Sequence, residues 1–336
     1  MLRIVISFVV AFVVAALTGK ALIPALRRMK AGQSIKDIGP TWHRSKQGTP
    51  TMGGLMFIIG VATAVFLLGW KDFAQGRFGG AFVFLFALVF GVIGYIDDYF
   101  KVKKHENTGL TAPQKFLLQL AAAILFTVLM RNHGYLSNAL YVPFFHVTFL
   151  IPWPLYMVFA AFVMVGTVNA VNITDGIDGL AAGVTMPVAL FFTAAACFWA
   201  RYELGVFAAA LFGGLCAFLI YNFYPAKVFM GDTGSLFLGG AVCGLAFALD
   251  IPLILITVGV IYIAETLSDI LQVGYFKLSH GKRIFRMAPL HHHLEMGGWS
   301  EVKLFCVFTG ITAVTCVLSF WGVMNRSKRA VSEGPP

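Results

Sequence analysis

Ten apolar stretches, each long enough to cross a lipid bilayer as a helix, constrain this chain more than any other feature. They cover residues 4–24, 52–70, 80–99, 115–131, 153–172, 180–200, 205–223, 235–250, 252–275 and 303–324. A helical span needs about 20 mostly apolar residues. In hydrocarbon no water satisfies a backbone N–H or C=O, so a lone segment must pair its own backbone as a helix. The remaining composition agrees. Of 336 residues, 59% are apolar and 12% charged, whereas a soluble domain carries about a quarter charged residues. The expected fold is therefore all-α: one polytopic membrane bundle of about ten transmembrane helices, with residues 1–336 forming a single domain.

The first stretch follows Met1-Leu2-Arg3, lacks a small-residue cleavage site and outruns a signal h-region, so it reads as a retained span. Orientation follows from the basic residues. Fourteen lie after the first, third, seventh and ninth spans: Arg27, Arg28, Lys30, Lys36, Arg44, Lys46, Lys101, Lys103, Lys104, Lys227, Lys277, Lys282, Arg283 and Arg286. Eight lie on the other side: Arg3, Lys71, Arg77, Arg131, Arg201, Arg326, Lys328 and Arg329. The positive-inside tendency makes the richer side cytoplasmic and puts both termini on the periplasmic side. The tail from Arg326 to Arg329 runs against it. The net charge of +10 does not indicate nucleic acid, because the basic residues punctuate apolar segments instead of forming a stripe. Residues 132–152 carry short β-like runs around Pro143 and read as a surface hairpin, and Asp250-Ile251-Pro252 must form a very tight turn. The cysteines (Cys197, Cys216, Cys243, Cys306, Cys316) have no metal or disulfide spacing and read as small buried hydrophobes.

The polar chemistry gathers at the cytoplasmic helix ends and loops. Asp97-Asp98-Tyr99-Phe100-Lys101 closes the third span. Adjacent helical side chains diverge by about 100°, so one carboxylate binds a metal more naturally while the other holds a second group. The bland reading is an interfacial Asp–Lys pair. Asn169 to Gly179 combines Asn169, Asn172, Asp175 and Asp178 with two glycines and no Lys or Arg. That set suits sugar hydroxyls or a base edge, where a bland turn needs one Asn or Gly. Gly231-Asp232-Thr233-Gly234 precedes a helix start, where free amides attract phosphate and Asp232 could offer a hard oxygen to magnesium. Glu265, Ser268, Asp269 and Gln272 share one face of the ninth span, which must meet protein or a wet cleft. His291, His292 and His293 are consecutive, unlike the spaced ligands of zinc sites, and read as hydrogen-bonding groups for phosphate. Together these features describe magnesium-assisted phosphoryl transfer between a soluble anionic donor and a lipid.

The runs His43 to Gly54, Asp97 to Lys101, Asn172 to Gly179, Phe229 to Ser235 and Pro289 to Glu295 resemble, in order, the phospho-N-acetylmuramoyl-pentapeptide-transferase (translocase I) family. That family belongs to the polyprenyl-phosphate N-acetylhexosamine-1-phosphate transferases. The resemblance implies transfer of phospho-MurNAc-pentapeptide from UDP-MurNAc-pentapeptide to undecaprenyl phosphate, giving lipid I and UMP. It further implies Mg2+, a homodimer, and a site on the cytoplasmic face of the bacterial plasma membrane. Carried onto matching positions, Asp97, Asp98 and Asp232 become the acidic centre, with Asp98 and Asp232 as metal ligands. Lys115, Asn172, Asp175, Asp178, Asn222, Phe229, Gly231 and Gln272 become substrate-side residues, with Phe229 a platform for uracil, and His291, His292 and His293 sit near the pyrophosphate.

A phosphate monoester has a second pKa near 6, so at pH 7 about nine-tenths of it is already dianionic. Charge repulsion is then a larger obstacle than deprotonation, which favours direct in-line attack over general-base catalysis. A covalent aspartyl-phosphate intermediate on Asp97 or Asp98 is the other route. A GlcNAc-1-phosphate transferase of surface polysaccharide synthesis is the runner-up function. An ion-coupled transporter fits less well, because such sites lie near the midplane on broken helices of repeated halves.

Overall fold

The computed structural model describes residues 1–29, 46–104, 108–324 and 326. Lys30, Lys36, the His43–Ser45 part of the first motif, Lys328 and Arg329 lie outside them. Among the described residues the chain forms helices α1 (Leu2–Arg28), α2 (Leu55–Phe73), α3 (Gly79–Lys104) and α4 (Ala112–Asn132). A hairpin, β1 (Ala139–Val142) and β2 (Val147–Leu150), precedes α5 (Trp153–Thr174), α6 (Leu180–Phe198), α7 (Tyr202–Asn222) and α8 (Gly231–Ala248). The chain closes with α9 (Leu255–Val258), α10 (Val260–Leu278), α11 (Leu290–Glu295) and α12 (Glu301–Met324). Nine of these helices are long and apolar enough to span, and Pro252–Val258 with Val260–Leu278 forms a tenth, broken one. The chain is thus a polytopic helical membrane protein.

Burial sorts the bundle. α8 is enclosed along almost its whole length, chiefly by α3 and α5 and further by α6, whereas α1, α4 and α12 bury one stripe and leave the rest bare. Exposed apolar side chains such as Val9, Leu125, Phe162 and Trp321 make that outer surface, as a lipid solvent requires.

The structure departs from the sequence expectations in three places. The ninth span is not continuous: it breaks at Gly259 and turns by 81°. The third span runs on to Lys104, which puts Lys101 on a helix, one turn from Asp97. Only Cys243 and Cys316 are buried; Cys197 and Cys216 are half-buried and Cys306 is exposed. The hairpin at 139–150 is present, with Ala139 opposite Leu150 and Val142 opposite Val147. The tight turn also forms: Asp250 adopts φ +57°, its carboxylate takes Ser137 and Arg326, and Ile251 N–H reaches the Ala246 carbonyl.

Candidate active site

The end of α3, the start of α4 and the start of α8 meet at one end of the bundle. Gly94 permits the crossing: a Cβ there would lie 2.1 Å from the Asp232 carbonyl oxygen. One turn later Asp98 caps α8. It accepts the N–H groups of Asp232 (3.2 Å) and Thr233 (2.9 Å) and the Thr233 hydroxyl (2.7 Å). A carboxylate is the natural partner for the unpaired amides of a helix start. Those amides, expected to attract phosphate, are therefore already taken by the protein. Gly231, at φ +69°, makes room, since a Cβ on it would meet Asp98 Oδ2 at 2.5 Å.

Asp97 accepts from Leu110 N–H at 2.8 Å and pairs with Lys101 at 2.6 Å. The Leu110 bond ties α3 to the start of α4. There Thr111 and Gln114 form a capping box that fixes the first turn. Lys115, held by that turn, reaches Asp232 Oδ2 at 2.8 Å, and Lys101 reaches the same oxygen at 3.0 Å. Asn172, at the end of α5, donates to Asp232 Oδ1 at 2.8 Å and to Ser235 at 2.7 Å.

One carboxylate oxygen from each of Asp97, Asp98 and Asp232 lies within 4.8 Å of the others. Three hard oxygens this close suit a small divalent cation, which prefers oxygen ligands and keeps several waters. The donor set therefore fits a metal, and Asp97 joins the two ligands expected from sequence. Asp175 follows α5, half-buried and with no side-chain partner among the described residues. Burial, then the charges of Asp232, Asp98 and Asp178, push its carboxyl well above the usual carboxylate range.

An apolar slot of about 610 Å³ runs between α4 and α5 towards this centre. Phe116, Leu120, Val158 and Phe162 line it, and Asn169 is its one polar lining residue. Asn169 pairs with Gln119 at 2.7 Å. Each is one turn or less from a centre residue, Gln119 from Lys115 and Asn169 from Asn172. The slot thus grades from apolar wall to amide pair to charge.

Other expected site residues spend their polar groups on the protein. Asp178 binds Lys46 (2.7 Å) and Ala226 N–H (2.8 Å), while Lys46 also binds Glu301 at 2.6 Å. Asn222 accepts from Gly179 N–H and donates to the Val228 carbonyl. Phe229 is half-buried, its backbone paired with Pro50 and Gly53. Gln272 clamps the backbone of Ile284 and Phe285. The three histidines diverge along α11: His291 meets Glu265, His292 meets Glu295, and His293 accepts from Arg286 N–H. No shared metal site forms from them. Lys101, Thr233, Lys46 and Gln119 were not expected in the site. Of these, Lys101 carried a spacing signal, four residues from Asp97, while Lys46 and Thr233 lay inside motif runs and Gln119 had no signal.

Residues 81–250 match the family described as glycosyl transferase family 4, and residues 46–58 match phospho-N-acetylmuramoyl-pentapeptide-transferase signature 1. The chain is 45% identical to the phospho-N-acetylmuramoyl-pentapeptide-transferase of Clostridium acetobutylicum, over 94% of this chain and 98% of that one. The protein of that name from Clostridium novyi is 45% identical over 95% and 96% of the two chains. The one from Acetivibrio thermocellus is 45% identical over 95% of each.

Proposed function

Since the chain belongs to the phospho-N-acetylmuramoyl-pentapeptide-transferase family, we propose that it transfers phospho-MurNAc-pentapeptide from UDP-MurNAc-pentapeptide to undecaprenyl phosphate. The products are lipid I and UMP, and the reaction serves peptidoglycan synthesis. The enzyme acts as a homodimer at the cytoplasmic face of the bacterial plasma membrane, with both termini outside. The observation that carries this reading is the three-carboxylate, two-lysine centre at the polar end of an apolar slot. A lipid phosphate needs both: a dry channel for its tail and cations for its head.

Asp97, Asp98 and Asp232 would hold Mg2+, which neutralises charge on the reacting phosphates when bound. The chain's own groups supply the rest. Lys115 stands where the slot meets the centre and orients the lipid phosphate. Lys101, which shares Asp232 Oδ2 with Lys115, opposes the charge of the donor diphosphate. An oxygen of the lipid phosphate attacks the sugar-bearing phosphorus as the bond to UMP breaks, so phosphorus changes partner without a net proton transfer. None of the three aspartates is a free base: Asp98 caps α8, Asp97 pairs with Lys101, and Asp232 takes two lysines and an amide. That arrangement and the prior ionisation of the lipid phosphate support direct transfer over general-base catalysis. The signature at residues 46–58 favours the muramoyl-pentapeptide donor over a UDP-GlcNAc one. The deciding measurement is UMP release by the purified protein. It should require magnesium, a polyprenyl phosphate and UDP-MurNAc-pentapeptide together, and release with UDP-GlcNAc instead would refute the donor assignment.

A further inference from the structure

From Ile270 to Leu294 the chain carries no acidic residue, yet it holds Lys277, Lys282, Arg283 and Arg286. All four are exposed, and none forms an ion pair among the described residues. Lys46, Lys101 and Lys115, by contrast, are each paired with carboxylates. The two arginines reach only neutral backbone: Arg283 Nη1 donates to the Arg286 carbonyl at 3.4 Å and Arg286 Nη1 to the Met296 carbonyl at 2.8 Å. The segment is folded against α10. It reverses through His280 (φ +55°) and Gly281 (φ +103°), Gly281 N–H reaches the Phe276 carbonyl, and Gln272 holds the backbone of Ile284 and Phe285. His291, which follows it, packs against Gly176 in the loop after Asn172. Asn172 reaches Asp232, so the basic segment stands at the same end of the bundle as the acidic centre.

Apolar side chains are interleaved with these cations and stand just as bare: Tyr275, Phe276, Leu278 (84% exposed) and Ile284. The stripe they continue begins earlier on α10, where Ile263, Leu267, Ile270 and Leu271 are exposed at helical spacing. Lys277 lies seven residues beyond Ile270, on the same face of the helix. A lipid-facing stripe that passes without a break into unpaired cations is the pattern of a helix leaving hydrocarbon through the headgroup layer, its charged ends reaching for phosphate. A soluble acidic partner would account for the cations but not for the stripe that leads into them. We infer that the end of α10 and the turn after it form a binding surface for anionic lipid headgroups, in the leaflet beside the acidic centre. The occupant is an ionised phosphodiester lipid, its headgroup held by Lys277, Lys282 and Arg283 and its acyl chains against Leu278 and Ile284.

The test attaches a bimane at position 278, through Leu278→Cys in the full-length protein lacking native cysteines, reconstituted in phosphatidylcholine vesicles. Its quenching is titrated with doxyl-labelled phosphatidylglycerol or with doxyl-labelled phosphatidylcholine of the same acyl chains. Each basic side chain near an anionic lipid surface contributes about 5-fold in binding before salt screens it. Phosphatidylglycerol should therefore half-quench at about a 10-fold lower mole fraction than phosphatidylcholine, and the preference should shrink as salt rises to about 0.5 M. Lys277→Gln, Lys282→Gln and Arg283→Gln together should abolish the preference while phosphatidylcholine quenches as before, which shows that the helix end keeps its place. Lys282→Arg with Arg283→Lys, which preserves the charges, should retain it. Equal quenching by the two lipids in the parent, or a preference that survives removal of the three charges, would overturn the inference. Absence of quenching by either lipid would overturn it too. That result gives the surface to water or, where the unlabelled thiol at 278 cross-links between copies on oxidation, to a second copy of the chain.

Discussion

Replacing Asp98 with Asn separates what this residue does for the fold from what it does for the chemistry. Its two oxygens accept three hydrogen bonds from the first turn of α8, from Asp232 N–H, Thr233 N–H and the Thr233 hydroxyl. In Asp98→Asn one oxygen becomes an amide NH2. The remaining oxygen can still serve Thr233, but the amide then faces the Asp232 N–H, donor against donor. Bonds to a charged acceptor are worth about 1.5–3 kcal/mol each and neutral ones about 0.5–1.5. Loss of a helix cap costs about 1 kcal/mol. Exchanging three charge-assisted bonds for two neutral ones and an unmatched donor should therefore destabilise the protein by about 4–6 kcal/mol. Asp97→Asn keeps an acceptor for Leu110 N–H and loses mainly a partly exposed ion pair, so its stability should change by about 1 kcal/mol or less. Thermal melting in detergent should thus fall clearly for Asp98→Asn and little for Asp97→Asn, while UMP release collapses in both. Raising the pH from about 6 to 8 takes a phosphate monoester from half to nearly fully dianionic, so a lost proton-remover would be rescued over that range. No such rescue is expected for Asp98→Asn. A variant that melts like the parent and regains most of its turnover at pH 8 would refute both the cap and the electrostatic role.

Asp232→Asn removes the anion shared by Lys101 and Lys115; turnover should fall by about 10²–10³, with little recovery at high magnesium, in an assay of UMP release. Asp175 has its carboxyl raised by burial and neighbouring aspartates, so the folded state holds its proton more tightly than the unfolded chain does. Stability is then lost as pH rises from the unfolded value of 3.8 through the higher folded one. Asp175→Asn should consequently melt higher than the parent near neutral pH in EDTA, with the gain vanishing towards about pH 4; a gain that grows on acidification would contradict this. Gly166 lines the apolar slot with nothing near it. Gly166→Leu should raise the KM for the lipid phosphate by about 10-fold and leave UDP binding unchanged, as one buried leucine's volume in an apolar channel suggests. Reporter cysteines at Lys104 and Arg283, in a background lacking native cysteines, should be shielded from a membrane-impermeant thiol reagent in intact cells while one at Asn138 reacts.

The spans were legible because hydrocarbon leaves an apolar 20-residue segment little choice of structure. What stayed hidden depends on contacts between segments far apart in sequence. Thr257 and Ser319 bond at 2.6 Å across α9 and α12, beside the break at Gly259. Read alone, residues 252–260 are one more apolar helix, since glycine is common in membrane spans. Asp98's cap could not be seen without the crossing at Gly94 that brings α8 to it. Asp178 and Asn222 show the converse. Their residue types suit a sugar or a base, and only the fold reveals that Lys46, Ala226, Gly179 and Val228 occupy them. Glu265 was visible as one tooth of a polar stripe, yet its partner sits 26 positions away on another helix.

The broken ninth span also bears on the class of function, because a transporter would exploit such a break. Transporter sites use the bared amides and carbonyls of a discontinuous helix, near the midplane, to hold ions and substrate. Here residues 252–260 contain no acidic or basic side chain. The break instead turns α10 aside, so that Glu265 and Gln272 reach the His291 and Phe285 segments that follow it. The carboxylates that could bind a metal stand elsewhere, at the end of α3 and the start of α8, where an apolar slot approaches them from the side. A relay for ions needs polar groups through the thickness of the bundle. A transferase needs them at one end only, where a water-soluble donor and a lipid head can meet, and that is how the acidic centre is arranged.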